Sequence, residues 1–188
     1  SSSSNGILKI DGRESTKNFC IGFCFWDVVL EIYIPSIYEN DIKIETASGD
    51  ITIELENLSK LKANTASGDI ELKRSLIAEE VDLKSISGDI ETVIIQASNI
   101  SIESTSGDIE STRLEENIYL KTISGKIECD NIKGEATIST VSGDIDIDYF
   151  NIIGNSKITS TSGDIEISLS NDSSVRMSGN SVSGDIRF

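Results

Sequence analysis

The sequence predicts an all-β solenoid, and three observations predict it. The tetrapeptide Ser-Gly-Asp-Ile recurs at Ser48, Ser67, Ser87, Ser106, Ser142, Ser162 and Ser183, with a variant copy, Ser-Gly-Lys-Ile, at Ser124. The motif glycines are Gly49, Gly68, Gly88, Gly107, Gly125, Gly143, Gly163 and Gly184, spaced by 19, 20, 19, 18, 18, 20 and 21 residues. Around every glycine, apolar residues alternate with polar ones. A period of about 19 residues marks a repeat architecture, in which each unit buries its open face against the next.

Each column of the repeat has a physical reason. Two residues after the glycine stands an isoleucine in every copy, from Ile51 to Ile186. Five before it stand Ile44, Ala63, Leu83, Ile102, Leu120, Ile138 and Ile158, and seven before it Ile42, Leu61, Val81, Ile100 and Ile118. Four after it come Ile53, Leu72, Thr92, Ser111, Cys129, Ile147, Ile167 and Phe188. Odd and even offsets thus separate an inward from an outward face, the signature of strands. Three before the glycine the residue is always Ser or Thr, from Thr46 to Ser181. Two architectures fit: antiparallel hairpins closed by Ser-Gly turns, and a solenoid of about eight coils in which Ser-Gly-Asp is a corner. The solenoid is preferred, because only there does each residue stack on its own counterpart. Glycine is expected at the corner for access to positive φ, with Ser and Asp bonding nearby backbone. The segments between motifs, such as Glu54–Lys60 and Lys73–Glu80, are read as the loop side.

The chain divides into residues 1–40, a tail and aromatic β cap, and residues 41–188, the repeat. Six of the ten aromatics fall in the first part: Phe19, Phe23, Phe25, Trp26, Tyr33 and Tyr38. Val28–Pro35 reads as a strand stopped by the single proline. A stack needs such a cap over its first open edge. At the other end, the expectation is either end-to-end dimerisation or coverage by the Ser168–Ser181 stretch. The apolar run Phe19–Trp26 is far shorter than the roughly 18 residues a membrane-spanning helix needs. The chain opens on four serines, which reads as a processed or truncated N-terminus.

Composition narrows function. The 188 residues carry 32 acidic and 16 basic side chains, a formal charge of −16, and no histidine. Nucleic acid and anionic membranes are therefore poor partners, and catalysis or metal binding through imidazole is excluded. The charge has a pattern. Asp50, Asp69, Asp89, Asp108, Asp144, Asp164 and Asp185 form one outward column, and Glu71, Glu91, Glu110, Glu128, Asp146 and Glu166 another. Like charges then face each other along the stack, with Lys126, Lys43, Lys62, Lys84, Lys121 and Lys157 expected to offset them. Calcium is the other means of offsetting them, and Asp144, Asp146 and Asp148 are the densest run; no other cofactor is implied. Cys20, Cys24 and Cys129 make neither a disulfide framework nor a zinc site and read as small buried hydrophobes. No copy of the repeat carries an odd cluster of Asp, Arg and Lys, so the expectation is a protein without catalytic residues.

The strand Leu30-Glu31-Ile32-Tyr33-Ile34-Pro35, followed by Ile-x-Ile-x-Thr-x-Ser-Gly-Asp-Ile units, resembles bacterial adhesin-labelled domains of unknown function over about residues 26–188. The resemblance implies a right-handed, β-helix-like solenoid at the cell envelope or outside the cell, and transfers no functional residue. On this basis the expected function is a non-enzymatic surface or envelope interaction module, adhesive in character, engaging a protein or glycan. A sensing domain of an envelope-stress system is the alternative, and a polysaccharide-active enzyme the third.

Overall fold

The computed structural model describes residues 2–4, 7–9, 30–35, 37–152, 154–169 and 176–187. The chain forms two units, Ser1–Pro35 and Ser36–Phe188. In the first, β1 (Ser2–Ser4) and β2 (Ile7–Lys9) pair antiparallel. Leu30–Pro35 form no strand, and Leu30, Ile32 and Tyr33 are exposed. The strand expected over Val28–Pro35 is thus not formed in its described part. β propensity measures fit against a neighbouring strand, and these residues have no ladder partner among the described ones. Phe19, Phe23, Phe25 and Trp26 lie outside the described residues. Tyr38 belongs to the second unit, where it packs against the core and its hydroxyl donates to the Asp41 carbonyl at 2.9 Å.

Among its described residues the second unit holds thirteen strands. They are β3 (Ile42–Glu45), β4 (Ile51–Ile53), β5 (Lys60–Asn64), β6 (Ile70–Leu72), β7 (Leu76–Lys84), β8 (Ile90–Glu103) and β9 (Ile109–Lys121). They continue as β10 (Ile127–Thr140), β11 (Ile145–Ile152), β12 (Asn155–Ser162), β13 (Ile165–Leu169), β14 (Arg176–Ser183) and β15 (Ile186–Arg187). All their pairings are parallel. The motif isoleucines are Cα partners in unbroken succession: Ile51, Ile70, Ile90, Ile109, Ile127, Ile145, Ile165 and Ile186. This is a β-solenoid and discards the antiparallel hairpins. Its eight motifs delimit about seven turns with a period of about 19.

Inward columns from three stretches of each turn fill the interior: the strand entering the motif, the strand leaving it, and a third stretch beyond. Strands leading into the motif bury Leu61, Val81, Ile100, Ile118 and Ala136, with Ala63, Leu83, Ile102, Leu120, Ile138 and Ile158 beside them. Strands leaving it bury the isoleucines from Ile51 to Ile165, with Ile186 partly buried. The column of the third stretch was not expected. Lys73–Glu80 is not simply loop, because β7 begins at Leu76, and β8, β9 and β10 run on without interruption. They bury Leu76, Ile95, Leu114 and Ile132 in register. Each such side chain contributes roughly 1.5–3 kcal/mol by leaving water. Near the first turns, Glu54–Lys60 remains largely irregular, joined by the Asn57–Ile77 bridge and anchored by buried Leu58. At the far end, Arg176–Ser183 is a rung paired with β12 rather than a covering loop.

The corner explains the motif. A Cβ placed on Gly68, Gly88, Gly107, Gly125, Gly143, Gly163 or Gly184 would fall far inside van der Waals contact of the carbonyl oxygen of the preceding motif glycine. Close approach of stacked backbones is the reason for glycine at all seven, and only Gly184 among them also has positive φ, at 158°, which corrects the expectation. The hydroxyl three residues earlier ties two turns together. Thr122 Oγ1 donates to the Gly107 carbonyl at 3.1 Å and accepts the Gly125 N–H at 3.1 Å. Ser85 and Ser104 do the same with Gly68 and Gly88 on one side and Gly88 and Gly107 on the other. These hydroxyls are buried, so backbone groups that would be orphaned at a dry corner are satisfied.

Changes in period are absorbed away from the motif. The Gly88–Gly107 interval has one residue more than Gly107–Gly125. Accordingly, β8 and β9 slip by one between Ala97 and Asn99, which leaves Ser98 as a bulge.

Candidate functional site

Each corner sends two rows of carboxylates outward. In the first, the side chain of one aspartate accepts the main-chain N–H one turn on. Asp50 Oδ1 takes it from Asp69 at 3.0 Å, Asp69 from Asp89 at 2.8 Å, and Asp89 from Asp108 at 2.8 Å. Asp108 takes it from Lys126 at 2.7 Å, Asp144 from Asp164 at 2.8 Å, and Asp164 from Asp185 at 2.8 Å. Charge-assisted bonds of this kind offset the repulsion along the column. The series skips the step from Asp144 back to Lys126, whose side chain has no acceptor. Lys126 Nζ instead pairs with Glu128 and lies 3.7 Å from Asp146.

The second row is in strict register. Thr52, Glu71, Glu91, Glu110, Glu128, Asp146, Glu166 and Arg187 are successive Cα partners. Six carboxylates therefore follow one another at the rung spacing of about 4.8 Å. Four of them, Glu71, Glu91, Glu110 and Glu128, border a shallow groove of about 480 Å³ together with Val93 and Asp130. The lysines expected to neutralise this face mostly do not. Lys43 pairs with Glu45 at 2.9 Å, Lys62 with Asp82 at 2.6 Å, and Lys84 with Glu103 at 2.9 Å, all on the strands entering the motif. A strand's opposite sides of the corner look different ways, and sequence adjacency concealed that.

Glu110 stands at the centre of the ladder. Its carboxyl is held above the ordinary value of 4.5, first by desolvation and then by repulsion from Glu91, Glu128, Asp108 and Asp89. Unfolding disperses these charges, so the native state binds the Glu110 proton more tightly than the unfolded one does. This residue's contribution to stability is then lost as pH rises through the window above 4.5. Glu110→Gln is expected to raise the thermal midpoint at pH 7 and low salt by about 1–3 °C. The gain should shrink in 0.5 M NaCl and toward pH 4.5, and a midpoint lower than wild type would contradict a repulsive ladder.

The calcium candidates are not brought together. Asp144, immediately before β11, and Asp146 and Asp148 on it alternate along the chain, each about 7 Å from the next. Asp144 is committed to the Asp164 amide, and Asp146 lies in the ladder between Glu128 and Glu166. Among the described residues no three His, Cys, Asp or Glu side chains converge on a common metal position. Cys129 is buried, and burial pushes its thiol up to about 12, so it stays protonated and unreactive. It ends a polar interruption of the core column, Thr92, Ser111 and Cys129, in which Thr92 Oγ1 lies 2.8 Å from Ser111 Oγ. Cys20 and Cys24 lie outside the described residues.

On the strands entering the motif, sequence reasoning missed a second groove of about 460 Å³ around Tyr119. The signal was present: the column Lys43, Lys62, Asp82, Ser101, Tyr119, Thr137, Lys157 changes character at its middle. Among the described residues, no helix is long and apolar enough to cross a membrane. No curated protein and no solved structure matches the chain. The whole of it, residues 1–188, does match one family model, and with its rungs of parallel strands racked on a repeated corner the chain belongs to the Toastrack DUF4097 family, a domain of unknown function.

Proposed function

We propose that the chain is a non-enzymatic interaction module of the cell surface or envelope, which holds extended partners along its flat faces. The observation that carries this reading is the in-register ladder from Glu71 to Glu166. A repeated rung presents the same group at every step, which suits a polymeric or extended partner. A glycosidase instead needs two carboxyls with divergent roles set by divergent surroundings, and the ladder repeats one kind of group at every rung. An adhesive role, as the family resemblance implies, is the specific form of this proposal.

The test is binding of the full chain to a panel of cell-wall glycans, polypeptides and whole-cell surfaces, alongside the variant Glu91→Gln/Glu110→Gln/Glu128→Gln. Saturable binding by the wild type that drops at least tenfold in the variant is the expected result. Failure to bind any member of the panel, or release of reducing ends from a glycan, would overturn the reading.

A further inference from the structure

The groove around Tyr119 is where the repeat departs most from itself. Ser101, Tyr119 and Thr137 are successive Cα partners, so the ring stands between two side chains too short to cover it. Tyr119 is 36% exposed. Beside it runs a second row, Asn99, Asn117 and Glu135. The corner behind these rows is irregular at this level and carries the Ser98 bulge. Glu116, at φ 88°, is the one non-glycine residue in the left-handed region among those described. Asn117 Nδ2 donates to the Ser98 carbonyl at 2.8 Å, which holds the bulge and the asparagine together. Bulges and left-handed non-glycine residues are costly and gather where a side chain must be aimed at something.

The groove is also less acidic than the ladder face, with Lys84 beside Asp82 at 3.5 Å and Glu135 as a further lining carboxylate. Glu80 and Asp82 line it, but Lys60 Nζ lies 2.8 Å from Glu80 and Lys62 Nζ 2.6 Å from Asp82. Amide and hydroxyl groups therefore dominate its floor, offering donors and acceptors together, with one aromatic surface among them. A cation would be drawn to the ladder on the other side of the corner. A polyanion would be repelled. An apolar ligand would find no enclosed wall.

We propose that Tyr119, with Ser101, Thr137, Asn99 and Asn117, forms a binding site for a short neutral oligosaccharide. A pyranose ring has an apolar face to lay on Tyr119 and a rim of hydroxyls that both donate and accept. Successive sugars match successive rungs, because the rung spacing of about 4.8 Å is close to the length of one pyranose unit. The volume of about 460 Å³ falls within the range of small-ligand sites. This site rests on the interaction-module reading and gives it a ligand class.

Calorimetric titration of the full chain with cellotetraose and with chitotetraose tests it. One of the two should bind saturably. Tyr119→Ala should weaken that binding at least tenfold, Tyr119→Phe should leave it within about threefold, and Ser101→Arg, which lays a long chain across the groove, should abolish it. The ladder variant Glu91→Gln/Glu110→Gln/Glu128→Gln should bind the oligosaccharide as the wild type does. Absence of binding to both oligosaccharides at millimolar concentration, or unchanged affinity in Tyr119→Ala, overturns the site. If ladder-dependent binding to the panel persists in that case, the oligosaccharide site falls alone and the module reading stands.

Discussion

Gly107→Ala should lower the thermal midpoint by about 6–12 °C, whereas Gly49→Ala should move it by no more than about 2–4 °C. Both residues occupy the same place in the motif. They differ in what lies on the preceding turn. The methyl at position 107 would run into the Gly88 carbonyl, an oxygen already engaged by the Ser104 hydroxyl at 3.1 Å. Parallel rungs set at about 4.8 Å cannot part locally without stretching the ladder bonds on either side. Overpacking of this kind costs about 3 kcal/mol when backbone rather than a flexible side chain must move, and in a domain of this size each kcal/mol is worth about 2–4 °C. At Gly49 the added methyl would meet only Thr46 Oγ1, at 3.1 Å. Circular dichroism melts of the two variants decide the matter. Equal shifts would mean that local turn conformation, not close stacking, selects glycine.

This difference also shows what the amino-acid sequence discloses and what it withholds. Periodicity displays the solenoid, its rung length and the inward isoleucines, because a column that stacks on itself must keep its residue type. The same logic made the two acidic columns visible. Pairing across turns is another matter. The Asp89 carboxylate accepts the Asp108 amide, and Lys62 meets Asp82 rather than any ladder acid. Such partners lie about one turn apart along the chain, and nothing local distinguishes them. The inward column of the third stretch was hidden for a related reason. Leu76 stands eight residues after its glycine, while Ile95, Leu114 and Ile132 stand seven after theirs, so alignment on the motif blurs it. The Tyr119 groove was obscured by the regularity itself: a column averaged over eight copies conceals the two or three turns in which it changes. Its irregular corner follows from one surplus residue, Ser98, which the spacing of 19 against 18 already records.

Regularity carries a cost at the corner, where backbone groups from two turns meet in a dry place. Thr122 is fully buried and serves both of its neighbours, donating to the Gly107 carbonyl and accepting the Gly125 N–H, each at 3.1 Å. Thr122→Val keeps the shape and removes both bonds. A buried donor and a buried acceptor would then lack partners, at about 1–2 kcal/mol apiece, for a total of roughly 2–4 kcal/mol and a fall in midpoint of about 4–16 °C. Thr122→Ser keeps both bonds and loses one methyl, about 0.8 kcal/mol. The opposite ranking would follow if the column were selected for β-branching, since valine is the better strand residue. Native-state hydrogen exchange adds a local readout, for the Gly125 amide should lose protection in the valine variant and keep it in the serine one. Equal stability of the two variants would sink the bridging role. The wild-type column already mixes Ser and Thr without a single Val, which is the pattern expected where the hydroxyl, and not the branch, joins one turn to the next.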